Sequence, residues 1–246
     1  FGEHGQGVSS MGPVAGDIDR NGLLDIYIPD MGYSSLLMNL GDYFEDHTTR
    51  ARVALYCGQY TGWGGLLLDY DNDGHLDLFV ANGNAHHEYT EEDVLLHNNG
   101  DGNFTDVSAS SGEYFHTKKV GRGSTFVDYD NDGDLDIVVV NLNDEAKLLR
   151  NDGGNRHNWL KVVPKLANLK RDAIGARVTV IVGELKQIED LIPVRGYLSQ
   201  ADSRLHFGLG KADKADLVEI RWPDGSVDQF KDVPANQIFE VIHEGK

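Results

Sequence analysis

DYDNDGHLD, from Asp69 to Asp77, places aspartate at positions 1, 3, 5 and 9 of a nine-residue stretch and glycine at position 6. Two further copies read DIDRNGLLD, from Asp17 to Asp25, and DYDNDGDLD, from Asp128 to Asp136. The first aspartates of successive copies lie 52 and 59 residues apart. This spacing is typical of a repeat architecture in which each repeat forms one supersecondary unit.

The spacing inside the motif predicts a metal-binding loop. Aspartates at alternate positions of a tight loop turn their oxygens toward one point, the glycine permits the bend, position 7 offers a backbone carbonyl and position 9 a last carboxylate. Hard oxygen ligands without cysteine or an obligatory histidine suit calcium, so up to three Ca²⁺ ions are predicted. The predicted ligands are Asp17, Asp19, Asn21, Leu23 and Asp25 in loop 1, Asp69, Asp71, Asp73, His75 and Asp77 in loop 2, and Asp128, Asp130, Asp132, Asp134 and Asp136 in loop 3, with Leu23, His75 and Asp134 acting through the backbone carbonyl.

An EF-hand and a set of unrelated acidic turns are the alternatives to this interpretation. An EF-hand needs glutamate at position 12 and a helix on either side, whereas position 12 is Ile28, Val80 or Val139 and the flanks are strand-like. Unrelated turns would not recur in phase, and carboxylates about 4 Å apart repel by roughly 1–4 kcal/mol per pair without a cation. The motif therefore predicts a calcium loop between two strands. Asn21, where the other copies have aspartate, predicts a weaker first site.

The residues around each motif repeat as well. A small-X-glycine step precedes each copy, and a β-branched or apolar run follows it, as in LFVAN after the second copy. The later segments are LLMNLGDYFED, LLHNNGDGNFTDV and the truncated LLRNDGG, and the Asn-Gly and Asp-Gly steps in the last two are typical of hairpin turns. Each repeat is therefore predicted to form about four short antiparallel strands.

The charge distribution divides the chain of 246 residues and net charge −18. Residues 1–155 contain 27 acidic and 8 basic residues, whereas residues 156–246 contain 13 acidic and 14 basic residues. This break predicts two domains, 1–155 and 156–246. The acidic surface argues against nucleic acid or an anionic membrane as a partner. The sequence contains no run of 18 apolar residues, so it does not predict membrane insertion. Cys57 is the only cysteine, which excludes an internal disulfide.

The loops and their flanks resemble the FG-GAP/VCBS repeat family over residues 1 to about 155. In the second half, RDAIGARVTV (171–180), GYLSQADSRLHFGLG (196–210) and VEIRWPDGSVDQF (218–230) look like the ASPIC/UnbV domain. Together they resemble the cartilage acidic protein family. The resemblance implies a secreted, all-β protein in which calcium-binding β-propeller blades precede a small β-sandwich-like C-terminal domain.

Three repeats cannot close a propeller ring, which needs about four to eight blades. We expect the three blades to belong to a larger, about seven-bladed propeller whose other blades are missing from this chain. This expectation rests on the start at Phe1, where no leader precedes the first repeat. Two alternatives stay open: the remaining blades reside on another subunit, or three blades stack openly against a partner.

Three residues at equivalent places are candidates for a binding face. Met11, Trp63 and Arg122 each lie six residues before the first aspartate of a loop. In a propeller this place is on the innermost strand, and tryptophan and arginine dominate interaction hot spots. They are therefore candidate contacts for a protein or carbohydrate partner, with ordinary packing as the alternative.

An insertion after the second loop carries a further metal candidate. His86 and His87, together with Glu88, are ligand types that transition metals prefer. Adjacent histidines point in different directions on a regular element, so both rarely bind one ion. A solvated loop is therefore the default interpretation of this segment.

Three classes of function are compatible with these features. The first is a calcium-binding interaction module that is secreted, periplasmic or on the cell surface, with structural calcium and a protein or glycan partner. The others are an enzyme with its site on the propeller face or at the domain junction, and a structural subunit of a larger assembly. Ser199, Asp202 and His206 lie close in sequence, but no G-x-S-x-G elbow accompanies them, so no catalytic residue is predicted.

Overall fold

The structure is a computed structural model that describes residues 9–86, 89–167 and 171–244. The fold is all-β, with 48% of the residues in strands and 6% in helices. Within these ranges, no helix combines the length and the apolar character that crossing a bilayer requires. The strands form separate sheets. Those of the first half are antiparallel, whereas one sheet of the second half also contains a parallel pair.

The first half consists of three antiparallel repeat sheets. Its elements are β1 (Val14–Gly16), β2 (Asp25–Ile28), β3 (Ser35–Asn39), β4 (Phe44–Asp46), α1 (Val53–Cys57), β5 (Gly62–Leu68), β6 (Asp77–Asn82), β7 (Glu91–Glu92), β8 (Val94–Asn98), β9 (Phe104–Asp106), β10 (Lys118–Lys119), β11 (Gly121–Val127), β12 (Asp136–Asn141) and β13 (Lys147–Leu149). Sheet 1 has the order β1-β2-β3-β4, sheet 2 the order β5-β6-β8-β9, and sheet 3 the order β11-β12-β13, while β7 and β10 pair as a separate ribbon. Each aspartate loop connects the first and second strands of its sheet.

Sheet 2 is buried on both faces. In β5, Leu67 packs toward sheet 1 with Tyr27, whereas Leu66 and Leu68 pack toward sheet 3 with Phe126. Successive side chains of a strand point to opposite faces, so a strand between two sheets must be apolar throughout. This explains the uninterrupted apolar runs beside loop 2.

The second half forms two facing sheets. Its strands are β14 (Asn158–Leu166), β15 (Arg171–Asp172), β16 (Arg177–Val182), β17 (Leu185–Asp190), β18 (Leu205–Gly210), β19 (Lys214–Arg221), β20 (Val227–Pro234) and β21 (Gln237–His243). Sheet 4 contains β15, β14 and β18, with β21 parallel to β14, and sheet 5 has the order β17-β16-β19-β20. Val162 and Phe207 of sheet 4 share one core with Val180 and Ile220 of sheet 5.

The all-β prediction is confirmed, and sheets 1 and 2 have the four predicted strands. Sheet 3 has three strands, because the truncated third copy contains no counterpart of the NFTDV segment that forms β9. The described residues form no closed propeller sheet. The propeller and its number of blades therefore stay predictions.

Candidate metal centre

All three aspartate loops share one backbone conformation. Position 4 is left-handed in each loop, with φ of 63° at Arg20, 58° at Asn72 and 59° at Asn131. The glycine at position 6 also has a positive φ, between 86° and 101°. Glycine adopts such angles without steric cost, and asparagine tolerates them. The left-handed residue at position 4 and the glycine at position 6, rather than one shared sequence, therefore produce the tight turn that gathers the aspartates in all three loops.

The first aspartate of each loop accepts hydrogen bonds from the loop's own backbone. The Asp69 carboxylate accepts them from the amides of Asp73 at 3.1 Å and Gly74 at 2.7 Å. Asp17 and Asp128 accept the equivalent bond from the glycine amide, at 3.1 Å in both loops. Each carboxylate oxygen has two lone pairs, so these bonds fix the side chain and leave room for a cation.

The ninth aspartate ties each loop to the third strand of its sheet. Asp77 accepts hydrogen bonds from the amides of Tyr70 at 3.2 Å and Asn98 at 2.8 Å. Asp25 and Asp136 accept the same pair of bonds, and all three aspartates are fully buried. Hydrogen bonds to an ionised group are the stronger ones. Position 9 is therefore an anchor of the fold as well as a potential metal ligand.

An asparagine at the end of the third strand links neighbouring loops. The Asn98 Nδ2 atom donates to the carbonyl of Leu76 in its own loop at 3.1 Å and to that of Ile18 in loop 1 at 3.2 Å. Asn151 repeats the link between sheets 3 and 2 by donating to the Tyr70 carbonyl at 2.6 Å. These two asparagines thus bridge the three loops in a row.

The structure brings three predicted side-chain ligands together in each loop. Oxygen atoms that lie within 4.8 Å of one another come from Asp17, Asp19 and Asp25 in loop 1, from Asp69, Asp71 and Asp73 in loop 2, and from Asp128, Asp130 and Asp136 in loop 3.

Position 5 is engaged elsewhere in two of the loops. The side-chain Nδ2 atom of Asn21 donates to the carbonyl of Asn39 at 2.9 Å. The Asp132 carboxylate accepts a hydrogen bond from the Asn155 side chain at 2.9 Å. The predicted backbone ligands Leu23, His75 and Asp134 stay predictions.

Burial raises the pKa of several loop carboxyls. The pKa is raised to about 6 at Asp17 and to about 7 at Asp77, in both cases mainly by burial. Burial, followed by repulsion from the other loop aspartates, raises the pKa of Asp69 well above its ordinary value. Both effects disfavour the charged carboxylate. A bound cation would offset them, so the electrostatics of the loops fit a metal site.

The ligand chemistry of the clusters fits calcium in loops 1 and 3. Calcium takes six to eight oxygen ligands from carboxylates, carbonyls and water. Only carboxylates form the clusters of these two loops. Loop 3 has a further candidate oxygen, because the Asp134 side chain is buried and its Oδ1 atom has no hydrogen-bond partner.

Loop 2 differs from the other loops by an imidazole. The Nδ1 atom of His97, on β8, lies 3.2 Å from Asp77 Oδ1 and 3.7 Å from Asp71 Oδ2. These three residues form a fourth potential metal cluster. The contact with Asp77 raises the pKa of His97 to about 9. Without a metal, a protonated His97 therefore partly neutralises this loop.

The second half of the chain packs directly on loop 3. Lys161 of β14 and Asp128 are both 1% exposed, and they form an ion pair. The Trp159 indole covers Gly133, where an added Cβ atom would lie 1.8 Å from the indole nitrogen. Glycine at position 6 therefore permits the turn and also the close approach of β14.

Asn72 of loop 2 connects three parts of the chain. Its Nδ2 atom donates to the carbonyls of Gly133 and Gly154, both at 3.0 Å. Its Oδ1 atom lies 2.5 Å from His206 Nε2, and its carbonyl accepts from the Gly210 amide at 2.8 Å. Burial lowers the pKa of His206 to about 3, so the ring is neutral and donates from Nε2. Loops 2 and 3 thus both contact the second half of the chain.

Trp63, one of the candidate binding residues, contacts the second half as well. The Arg122 guanidinium lies 4.0 Å from the centroid of the Trp63 ring, which makes an edge-to-face contact with Tyr197 at 5.3 Å. Arg122 and Trp63 both donate to the Gly83 carbonyl, at 3.0 Å and 2.5 Å. Met11 is half-buried. Their predicted role toward a partner stays a prediction.

The other candidate groupings have different outcomes. His86 is exposed, while His87 and Glu88 lie outside the described residues. Ser199 Oγ donates to the Tyr197 carbonyl at 2.8 Å, and Asp202 binds the Arg204 guanidinium. Since His206 instead faces Asn72, the three residues Ser199, Asp202 and His206 do not interact as a catalytic set.

Sequence reasoning did not identify His97, Lys161 or the asparagines that link the loops. Asn98 and its equivalents are visible in the repeated LLMN, LLHN and LLRN segments, where the shared asparagine is a signal beyond turn formation. His97 is the variable residue of the same segment. Lys161 has no comparable signal, because WLKVVP predicts a strand without indicating a carboxylate partner in loop 3.

Comparison with known families assigns two parts of the chain. The description "FG-GAP-like repeat" matches residues 69–139, which include loops 2 and 3, and "ASPIC and UnbV" matches residues 167–246. The chain carries an FG-GAP-like repeat and an ASPIC/UnbV domain. This combination confirms the resemblance stated from the sequence.

The chain is similar to proteins named cartilage acidic protein 1. It is 30% identical to the human protein over 190 residues and to the mouse protein over 189 residues, and each alignment covers 72% of this chain. The Xenopus tropicalis protein is 32% identical over 111 residues, or 44% of this chain. The chain spans about 28% of the length of the human and mouse relatives.

A solved structure of an Agrocybe aegerita lectin, described by its recognition of non-reducing terminal N-acetylglucosamine, also matches. The match covers 93% of this chain and 67% of the lectin chain, at 18% sequence identity and a TM-score of 0.36. A likeness of this size carries no argument about fold or ligand.

Proposed function

We propose that this chain is the calcium-stabilised part of an extracellular interaction module. Its three aspartate loops would each bind one Ca²⁺ ion, and calcium would have a structural role. The observation that carries the proposal is the threefold recurrence of one loop geometry, with buried carboxylates gathered in each copy. The FG-GAP-like repeat and the ASPIC/UnbV domain also suggest an extracellular interaction module.

The contacts between the halves give calcium a second structural role in this proposal. Loop 3 contacts Lys161 and Trp159, while loop 2 contacts His206 through Asn72. An ion that holds the loop backbones would therefore also hold the surface on which β14 and β18 pack. We propose domain limits of 1–155 and 156–246, with this loop surface as their interface.

The location and the partner are part of the proposal. Extracellular modules bind calcium at roughly 10⁻⁴–10⁻³ M, which is too weak for resting cytosol. Loops of this kind would suit a secreted, periplasmic or cell-surface protein. The partner would be a protein or a glycan rather than nucleic acid, because residues 1–155 carry 27 acidic and 8 basic residues. The three sheets would belong to a larger propeller, completed elsewhere in the polypeptide or by another subunit.

The interaction part of the proposal is tested by binding screens in calcium and in EDTA. The calcium-loaded chain is applied to a glycan array and to a panel of purified extracellular proteins. A calcium-dependent interaction that a loop variant, Asp71→Asn, also weakens would support the proposal. Binding that is unchanged in EDTA would contradict the proposal. So would a folded chain that binds nothing on the glycan array or in the protein panel.

A pH prediction follows from the metal-free loops. The raised pKa values of Asp77 and His97, to about 7 and about 9, mean that the folded state binds more protons than the unfolded state. In EDTA, the free energy of unfolding should therefore fall as the pH rises from 6.5 to 8.5. His206, with its pKa lowered to about 3, and His75, whose pKa is lowered by burial, contribute the opposite slope, which fades above about pH 7.5. Denaturation midpoints across this interval measure the effect.

Saturating calcium is the control for the pH prediction. Calcium keeps the loop carboxylates ionised in the folded state, so the fall should become smaller or reverse. A free energy of unfolding that increases with pH in EDTA would contradict the assignment.

A further inference from the structure

Loop 2 carries a nitrogen ligand that its two counterparts lack. In sheet 2, His97 pairs with Thr105 of β9. In sheet 1, Met38 pairs with Glu45 of β4 at the same place in the register, so Met38 is the equivalent of His97. In the repeated segment of sheet 3 the equivalent residue is Arg150, whose guanidinium binds Asp152 at 2.7 Å. Among the described residues, the other three potential metal clusters contain carboxylates alone.

The spacing of the His97 cluster suits a small transition-metal ion. Nδ1 lies 3.2 Å from Asp77 Oδ1 and 3.7 Å from Asp71 Oδ2. Ligands at zinc distances of about 2.0–2.1 Å in a tetrahedron lie roughly 3.4 Å from one another. The Nδ1 atom is enclosed and makes no well-aligned hydrogen bond. The backbone bonds to Asp77 leave lone pairs on both of its oxygens, so the same carboxylate can bind a metal.

The surroundings of His97 hold the ring in this position. β8 is the third strand of sheet 2, and the imidazole makes an edge-to-face contact with Tyr70 at 6.1 Å between ring centroids. Tyr70 is position 2 of the same loop, and its amide donates to Asp77. A ligand set held by a strand and by the loop backbone loses little freedom when it binds an ion.

We propose that loop 2, through His97, Asp71 and Asp77, binds a first-row transition-metal dication such as Zn²⁺ more tightly than loops 1 and 3 do. Imidazole suits zinc, copper, nickel and iron, whereas carboxylate and carbonyl oxygens suit calcium. The inference rests on the proposed role of the loops as metal sites and assigns a different preference to one of them. The remaining aspartates of loop 2 or water would complete the coordination.

The test is a zinc titration of the EDTA-treated and dialysed chain by isothermal calorimetry. The His97→Met variant installs the residue that sheet 1 has at this position, so it removes the imidazole and keeps an apolar stem. Loss of a ligand should weaken the tightest Zn²⁺ site by about tenfold or more, since outer-shell changes alone cost about 10–100-fold. The matched control is His116→Gln, which removes an exposed imidazole outside every proposed metal site and should leave zinc affinity unchanged.

A spectroscopic measurement identifies the ligand directly. One equivalent of Zn²⁺ should shift the imidazole NMR signals of His97 in the unaltered chain, before those of the other histidines. Wild-type zinc affinity in a folded His97→Met variant, or unshifted His97 signals at one equivalent, would overturn the proposal. If the variant fails to fold, the NMR titration of the unaltered chain still decides.

A calcium titration of the same samples separates this inference from the proposed function. Three calcium sites together with zinc affinity that is independent of His97 would refute the zinc preference alone. His97-dependent zinc binding in a chain that binds no calcium would refute the calcium proposal and support the zinc site.

Discussion

Removing calcium is expected to lower the melting temperature of the calcium-loaded chain by about 15–30 °C. At a free concentration of about 100 times the dissociation constant, each site adds roughly 2.7 kcal/mol, so three sites add about 8 kcal/mol. For a protein of this size, each kcal/mol shifts the melting temperature by about 2–4 °C. Circular dichroism melting curves in calcium and in EDTA measure the difference.

Single loop variants provide the control for the calcium effect. Asp19→Asn, Asp71→Asn and Asp130→Asn each remove one charge from the cluster of one loop. Each variant should lose about one third of the calcium-dependent shift, and the loop 1 variant should lose the least, because Asn21 already weakens that site. Melting temperatures that are equal in calcium and EDTA would contradict the structural role of the ion.

The second large effect is expected for Lys161→Met, which leaves Asp128 buried without its partner. Removing one member of a buried ion pair costs about 3–5 kcal/mol. Both residues are 1% exposed, so water does not substitute for the lost ammonium group. In EDTA the variant should therefore melt about 6–20 °C below the unaltered chain. In saturating calcium the loss should be smaller, because an ion in loop 3 neutralises Asp128.

Lys165→Met is the matched control, because Lys165 lies four residues further along β14 and pairs with Glu240 at a partly exposed site. Exposed pairs contribute little, so this variant should melt close to the unaltered chain. Equal destabilisation of both lysine variants, or a Lys161→Met effect that is the same in calcium and EDTA, would show that the loop and β14 are not coupled as described.

The local structure of the loops was largely predictable from the sequence. Alternating aspartates, glycine at position 6 and apolar runs on either side specify a tight turn between two strands, and Asp69 and Asp77 lie at the predicted ends of that turn. The same local pattern predicted an all-β fold. The truncated LLRNDGG segment already indicated that the third repeat ends early, and sheet 3 indeed lacks a fourth strand.

The contacts of the loops with the second half were not predictable, because they depend on tertiary packing between distant segments. Lys161 and Asp128 are 33 residues apart, and His206 and Asn72 are 134 residues apart. Nothing in a strand pattern shows which distant surface will cover it. His97 was missed for a related reason. The apolar pattern of its segment predicts the strand β8, but only the pairing of strands in sheet 2 shows that the His97 side chain faces loop 2.

Calcium stoichiometry tests the central claim most directly. Native mass spectrometry of the EDTA-treated chain after addition of Ca²⁺ should show three bound ions, and each of the Asp19→Asn, Asp71→Asn and Asp130→Asn variants should retain fewer ions or bind the altered site more weakly. A folded chain that retains no calcium, or variants whose calcium content and affinity equal those of the unaltered chain, would contradict the assignment of the three loops as calcium sites.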